Sequence, residues 1–187
     1  MPRHVNAADR IALIHDAVVA IALESGFAAV TVRAVAQRIG ASTSAVTHYV
    51  ESRDDLLRSV VRQEIARHQA AAESALAGLK DRAALRVFIE WAVLHRDERT
   101  HRLWLALVLG AATDPALRAE LDRFNAWWMV EIHRQIDDID PPQPELVVDL
   151  LNTLVDGLIV TAFDAGQPWP TERRARLLDA IWAAASL

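Results

Sequence analysis

Apolar residues recur along this chain at steps of three and four, and no alternating apolar and polar run extends beyond a few positions. That spacing gathers apolar side chains on one face of a helix, so an all-α fold of about nine helices is expected. Ile14, Val18, Ile21 and Ala22 form the stripe of the first helix, with Asn6 and Asp9 as a capping pair and Gly26 as its stop. Thr31 is placed to cap a short second helix over VRAVAQRI, which Gly40 ends, and Ser42 to cap a third over TSAVTHY. Ser52 with Asp55 opens a long fourth helix that fades near Gly78.

Beyond Gly78 the same signals predict five more helices. Asp81 caps one running to about His95, and HRLWLALVLGAAT forms the next. Asp114-Pro115 starts a helix to about Asp137, because proline at the first helical position loses no needed donor and the preceding aspartate caps free amides. DPPQP ends it; the eighth helix runs from about Glu145 to Ala165 before Gly166, and the ninth from Thr171 to about Ala185. The most apolar segment, 146–163, is interrupted by Asp149, Asn152, Thr153 and Asp156, which argues against a membrane span. No signal-peptide pattern opens the chain and no cysteine occurs, so a soluble cytoplasmic protein without disulfides or thiolate metal sites is expected.

The net charge of −5 argues at first against nucleic acid. Its distribution changes that. Up to His68 eight arginines face seven carboxylates, a net +1 that leaves −6 for the remainder, and His4, His15, His48 and His68 can add positive charge near a polyanion. Within this part, helices two and three have the physical outline of a helix-turn-helix. Ala36 permits a close helix crossing and Gly40 suits the tight turn. Val35, Ile39, Ala41 and Val46 point to a small core, which leaves Thr43, Ser44, Thr47 and His48 facing outward, where a recognition helix meets base edges in the major groove. Thr31, Tyr49 and Arg53 flank that helix and are expected to touch the phosphate backbone, and Ser42, its cap, is counted among the DNA-binding residues.

The stretch GFAAVTVRAVAQRIGASTSAVTHYVESRDDLL resembles the N-terminal region of TetR-family repressors, through Gly26-Phe27, Thr31-Val32-Arg33, Val35-Ala36, Gly40, Ser42, His48-Tyr49 and the Ser52-to-Leu56 helix opening. The resemblance implies a homodimer, a three-helix DNA-binding domain (residues 1–51) and a helical effector-binding and dimerisation domain (residues 52–187). Many members carry Lys at the position of Thr43, Tyr at Thr47 and Phe at Val50, so base readout here rests on hydroxyls and His48. RLWLALVLGAATDPALRAEL with Trp127 and LVDGLIV further resembles the regulatory domain of the betaine-synthesis-repressor type.

Phe88, Trp91, Trp104, Trp127 and Trp128 supply aromatic surface for an effector pocket, suited to an apolar, aromatic or quaternary ammonium molecule, or for ordinary core packing. HRDERTH, with His95, Asp97, Glu98 and His101, lacks a metal-binding spacing and reads as a solvated charged loop. Asp149 and Asp156 either line the pocket or pair with Arg173, Arg174 or Arg176. The eighth helix is apolar over too wide an arc to face only its own core. Leu150, Leu151, Leu154, Gly157 and Leu158, with Leu178, Ile181 and Trp182 of the last helix, are therefore expected to form a four-helix dimer interface. The expected function is a repressor released from a pseudo-palindromic DNA operator by a small effector, with no cofactor, metal or catalytic residue. The competing readings are an activator of the same fold and a small helical enzyme built on the cluster at 95–101.

Overall fold

A computed structural model describes residues 7–94, 98–164 and 169–185. Expectations that fall on Asn6, His95, Asp97, Ala165 and Gly166 lie outside the described residues. Nine α-helices occur among them: α1 (Ala7–Ser25), α2 (Val32–Arg38), α3 (Thr43–Thr47), α4 (Arg53–Leu76), α5 (Asp81–Val93), α6 (Glu98–Ala111), α7 (Pro115–Asp137), α8 (Pro144–Asp164) and α9 (Thr171–Ala185). A single 3-10 turn, Phe27–Ala29, sits between α1 and α2. None of the described helices is long and apolar enough to cross a membrane.

Local chemistry sets most of these boundaries. The Ala34 amide donates to Thr31 Oγ1 (3.0 Å) and the Ala45 amide to Ser42 Oγ (3.2 Å), the two expected side-chain caps. Gly40, at φ +63°, makes the turn between α2 and α3, and its amide donates to Gln37 O. The Ala116 and Leu117 amides donate to Asp114 Oδ1 at the start of α7. At α5 the expectation is corrected, since Lys80 holds the extended cap position and Asp81 is the first helical residue, with a φ of +54°.

Packing groups the chain into two compact units, residues 1–66 with 102–124, and residues 67–101 with 125–187. The first unit therefore contains more than the expected DNA-binding segment. Its core joins Ile14, Val18, Phe27, Val35, Val46, Leu56 and Leu57 to Leu103, Leu107, Leu117 and Leu121. Ile39 and Ala41, expected in that core, are only half-buried. Glu120 is 1% exposed in this unit and is held by Arg62 (3.0 Å) and Arg123 (2.8 Å). In the second unit α5 packs on α8, with Phe88, Ile89, Ile132, Ile136, Leu151 and Leu178 fully enclosed.

Candidate DNA-binding site and effector region

α3 is only five residues long, yet its orientation is well determined. Val46 is fully buried, the Ser42 cap fixes its first turn, and Ser42, Thr43, Ser44, Thr47 and His48 are all left exposed. Ser42 Oγ and Ser44 Oγ lie 2.8 Å apart, so one hydroxyl donates to the other, while Thr47 Oγ1 reaches back to Ser44 O at 3.4 Å. The half-buried Tyr49 meets His48 edge to face, with ring centroids 4.9 Å apart. An open groove of about 400 Å³ runs beside the helix, lined by Arg10, Ser42, Ser44, Ala45, His48 and Tyr49. Hydroxyls, an imidazole, a phenol and one guanidinium converge there, a donor-rich set suited to a phosphate oxygen next to a base edge.

Arg10 was absent from the sequence-based set because it lies more than thirty residues before α3, near the start of a helix that otherwise supplies core residues. Thr31, Thr43 and Thr47 are exposed but do not line the groove.

Arg53 takes a different place from the one expected. Its Nε donates to Val30 O (2.7 Å), Nη2 to Phe27 O (3.0 Å) and Nη1 to Asp114 Oδ2 (2.7 Å). Three of its donors are thus committed inside the first unit. Burial alone would raise the Asp114 pKa, but Arg53 and the Leu117 and Ala116 amides outweigh it and hold the carboxyl below its ordinary value. Arg53 ties the 3-10 turn to the cap of α7.

The aromatic set also divides. Phe88, Trp91 and Trp128 are buried in the second unit, with Phe88 stacked on Trp128 (4.6 Å) and on Trp91 (6.0 Å) and meeting Trp127 edge-on (6.3 Å). Trp128 Nε1 donates to Asn152 Oδ1 at 3.0 Å. Trp104 instead pairs with Phe124 (4.6 Å) against the core of the first unit and does not belong to the Phe88 cluster. His101 is buried, 3.1 Å from Ala92 O, so it is not part of a solvated loop.

The interface expectation needs correction in part. Leu151, Leu158 and Leu178 point into their own core, and the Trp182 ring lies under the Arg86 guanidinium of the same chain. Leu150 and Gly157 are exposed, and Leu154 and Ile181 half-buried. The outward face of α8 is instead Leu146, Leu150, Thr153, Gly157 and Val160, with Leu177 exposed on α9. Steps of four, three, four and three make this a continuous seam along the helix.

Comparison with known proteins agrees with this anatomy. Residues 14–60 match the family of bacterial regulatory proteins of the tetR type, and residues 81–185 match the BetI-type transcriptional repressor C-terminal family. The chain belongs to the TetR family, with a BetI-type C-terminal part. It is therefore a ligand-responsive, DNA-binding transcriptional regulator and not an enzyme. It is 28% identical over 183 residues to the HTH-type transcriptional regulator BetI of Burkholderia thailandensis, covering 90% of this chain and 89% of that protein. A transcriptional regulator from Rhodococcus sp. Rha1 superposes with a TM-score of 0.79 at 26% identity, over 91% of this chain and 92% of the other. A protein from Saccharomonospora viridis in complex with choline has the same fold (TM-score 0.82, 15% identity, covering 94% and 96%).

Proposed function

We propose that this regulator is a cytoplasmic homodimeric repressor that leaves a pseudo-palindromic operator when a small molecule binds its second unit. The observation that carries the reading is the outward face of α3 beside a groove holding Arg10. Residues 1–51 supply the DNA contacts and residues 52–187 the effector response and dimerisation. Thr43, Ser44, Thr47 and His48 meet base edges, with threonine methyls available to thymine methyls. Ser42, Tyr49, Thr31 and Arg10 meet phosphates, and Arg53 holds the face in position rather than touching DNA. The seam on α8, with Leu177 and Ile181 of α9, meets its symmetry mate in a four-helix interface, which sets two copies of α3 about 34–36 Å apart or somewhat more. Effector binding changes that spacing, and DNA affinity falls by linkage.

The aromatic cluster around Phe88 supports a flat apolar or quaternary ammonium effector through ring contact and cation-π attraction. The choline complex of the similarly folded S. viridis protein makes choline the first molecule to test. The experiment is fluorescence anisotropy on operator DNA selected from genomic fragments, with choline and apolar amines titrated in. A several-fold loss of DNA affinity supports the reading; DNA affinity unmoved across both classes sinks the effector assignment. Transcription measured with and without the protein then separates repression from activation.

A further inference from the structure

Arg174 carries a buried charge that no carboxylate among the described residues balances. The residue is 8% exposed, and its guanidinium lies between the last turn of α5 and the first turn of α9. Nη1 donates to Val93 O, and Nη2 reaches Thr171 Oγ1 at 3.5 Å. Nε is closed to solvent and has no acceptor. Glu120, the other carboxylate or guanidinium buried to this degree among the described residues, is held by two arginines; Arg174 has no carboxylate within ion-pairing distance among them. The expected pairing with Asp149 or Asp156 is absent among the described residues.

The first turn of α9 adds positive potential at this position and the carbonyl end of α5 adds negative potential. Arg173, stacked 3.5 Å over the Trp169 ring, Arg176 and Glu172 share the same end of α9, and all three are exposed. The first amides of a helix have no intrahelical acceptors, and the positive end of the helix dipole lies there. The Val93 carbonyl offsets only part of the charge, and burial pushes the guanidinium pKa below its ordinary value. An uncompensated buried cation is strongly unfavourable, so a partner that brings a negative charge has a large differential affinity for this site.

We propose that Arg174 and the first turn of α9 form a carboxylate-binding site, and that the effector carries a carboxylate in addition to the apolar or quaternary ammonium part proposed above to meet the Phe88 cluster. The class follows from the free edge of the guanidinium. Nη1 is occupied by Val93, whereas Nε has no acceptor and Nη2 has only the 3.5 Å contact with Thr171 Oγ1; these two lie along one side, the fork that matches the two oxygens of a carboxylate. One carboxylate neutralises one guanidinium; a phosphate dianion would leave a buried negative charge with no further cation directed at it. Because Nε is enclosed, binding requires the first turn of α9 to lift from the end of α5. α9 also carries Leu177 and Ile181 of the proposed dimer seam, so the effector part rests on the ligand-released dimer proposed above.

The test uses the full chain with sodium acetate and sodium benzoate as probes, against sodium chloride at equal ionic strength and choline chloride as the cationic control. Thermal unfolding of the wild type should rise saturably with at least one carboxylate, by about 5–10 °C at a hundredfold excess over Kd. Arg174→Met should melt at or above the unliganded wild type and lose the response. Arg174→Lys, which keeps the charge and loses the fork, should bind at least tenfold more weakly. Carboxylates that act no more strongly than chloride overturn the site, as does an equal response in Arg174→Met. So does an Arg174→Met variant that merely melts several degrees lower while the wild type ignores both acids, since Arg174 is then a helix cap alone. DNA affinity is read separately: carboxylate binding that leaves it unchanged overturns the effector role, whereas absence of DNA binding without any additive refutes the regulator mechanism itself.

Discussion

Replacing Arg53 with Ala separates a structural strut from a phosphate contact. The substitution removes donors from Val30 O, Phe27 O and Asp114 Oδ2, leaving a carboxylate whose side chain is 15% exposed without its charged partner. Hydrogen bonds from a charged donor contribute about 1.5–3 kcal/mol each when enclosed. Arg53 is 32% exposed, so water takes over part of the loss, and the total is about 2–4 kcal/mol. In a chain of 187 residues this corresponds to a fall in Tm of about 4–16 °C, against less than about 4 °C for an ordinary surface ion pair. Scanning calorimetry gives the first number. The second comes from DNA affinity measured between low and moderate salt below the melting range: a lost phosphate contact lowers the slope of log K against log salt by about 0.9, and Arg53→Ala should leave it unchanged. A Tm within about 2 °C of the wild type, together with a slope lowered by about one, would refute the strut and restore Arg53 to the DNA contacts.

Arg10→Ala should do the converse, weakening DNA binding across sequences and lowering the salt slope by about one while Tm moves little. Asp114→Asn should keep the α7 cap and lose the charged pair. The Asp114 pKa is depressed when folded, so its contribution is fully present above its ordinary 3.8 and is lost as pH falls through the lower folded value; the stability gap to the variant should be constant from neutral pH to about 4 and close below that. Leu150→Glu places a charge in the α8 seam and should shift sedimentation from dimer to monomer without unfolding the chain, since Leu150 is 51% exposed. Gly40→Ala adds a Cβ that meets nothing within 4 Å but forces a left-handed backbone on alanine, so it should cost about 1–2 kcal/mol, read by denaturant midpoint.

What the sequence disclosed follows the range of the interactions concerned. Thr31, Gly40, Ser42 and Asp114 act on backbone groups within a few residues, so their caps and turns are readable from adjacent letters, and the helices match closely. The ties of Arg53 were not readable because its partner Asp114 is 61 positions away, and the place of Arg10 was not readable because the groove it lines is built by a later helix. On α8 the apolar residues cover nearly the whole circumference, so periodicity pointed to two apolar faces but not to which residue serves which. The structure turns Leu151 and Leu158 inward and leaves Leu146, Leu150 and Val160 outside. Trp104 and Trp128 look equivalent as letters, and only packing assigns them to different clusters.

The central claim, base readout by the hydroxyl face of α3 in a dimer, is tested most directly by selecting bound genomic fragments and footprinting the wild type beside Thr43→Ala/Thr47→Ala. The account predicts a shared pseudo-palindromic site protected in two half-sites about one helical turn or somewhat more apart. In the double variant it predicts a loss of specificity for that site with little loss of affinity for random DNA. Equal protection by both proteins, or selected fragments with no common motif, would contradict it.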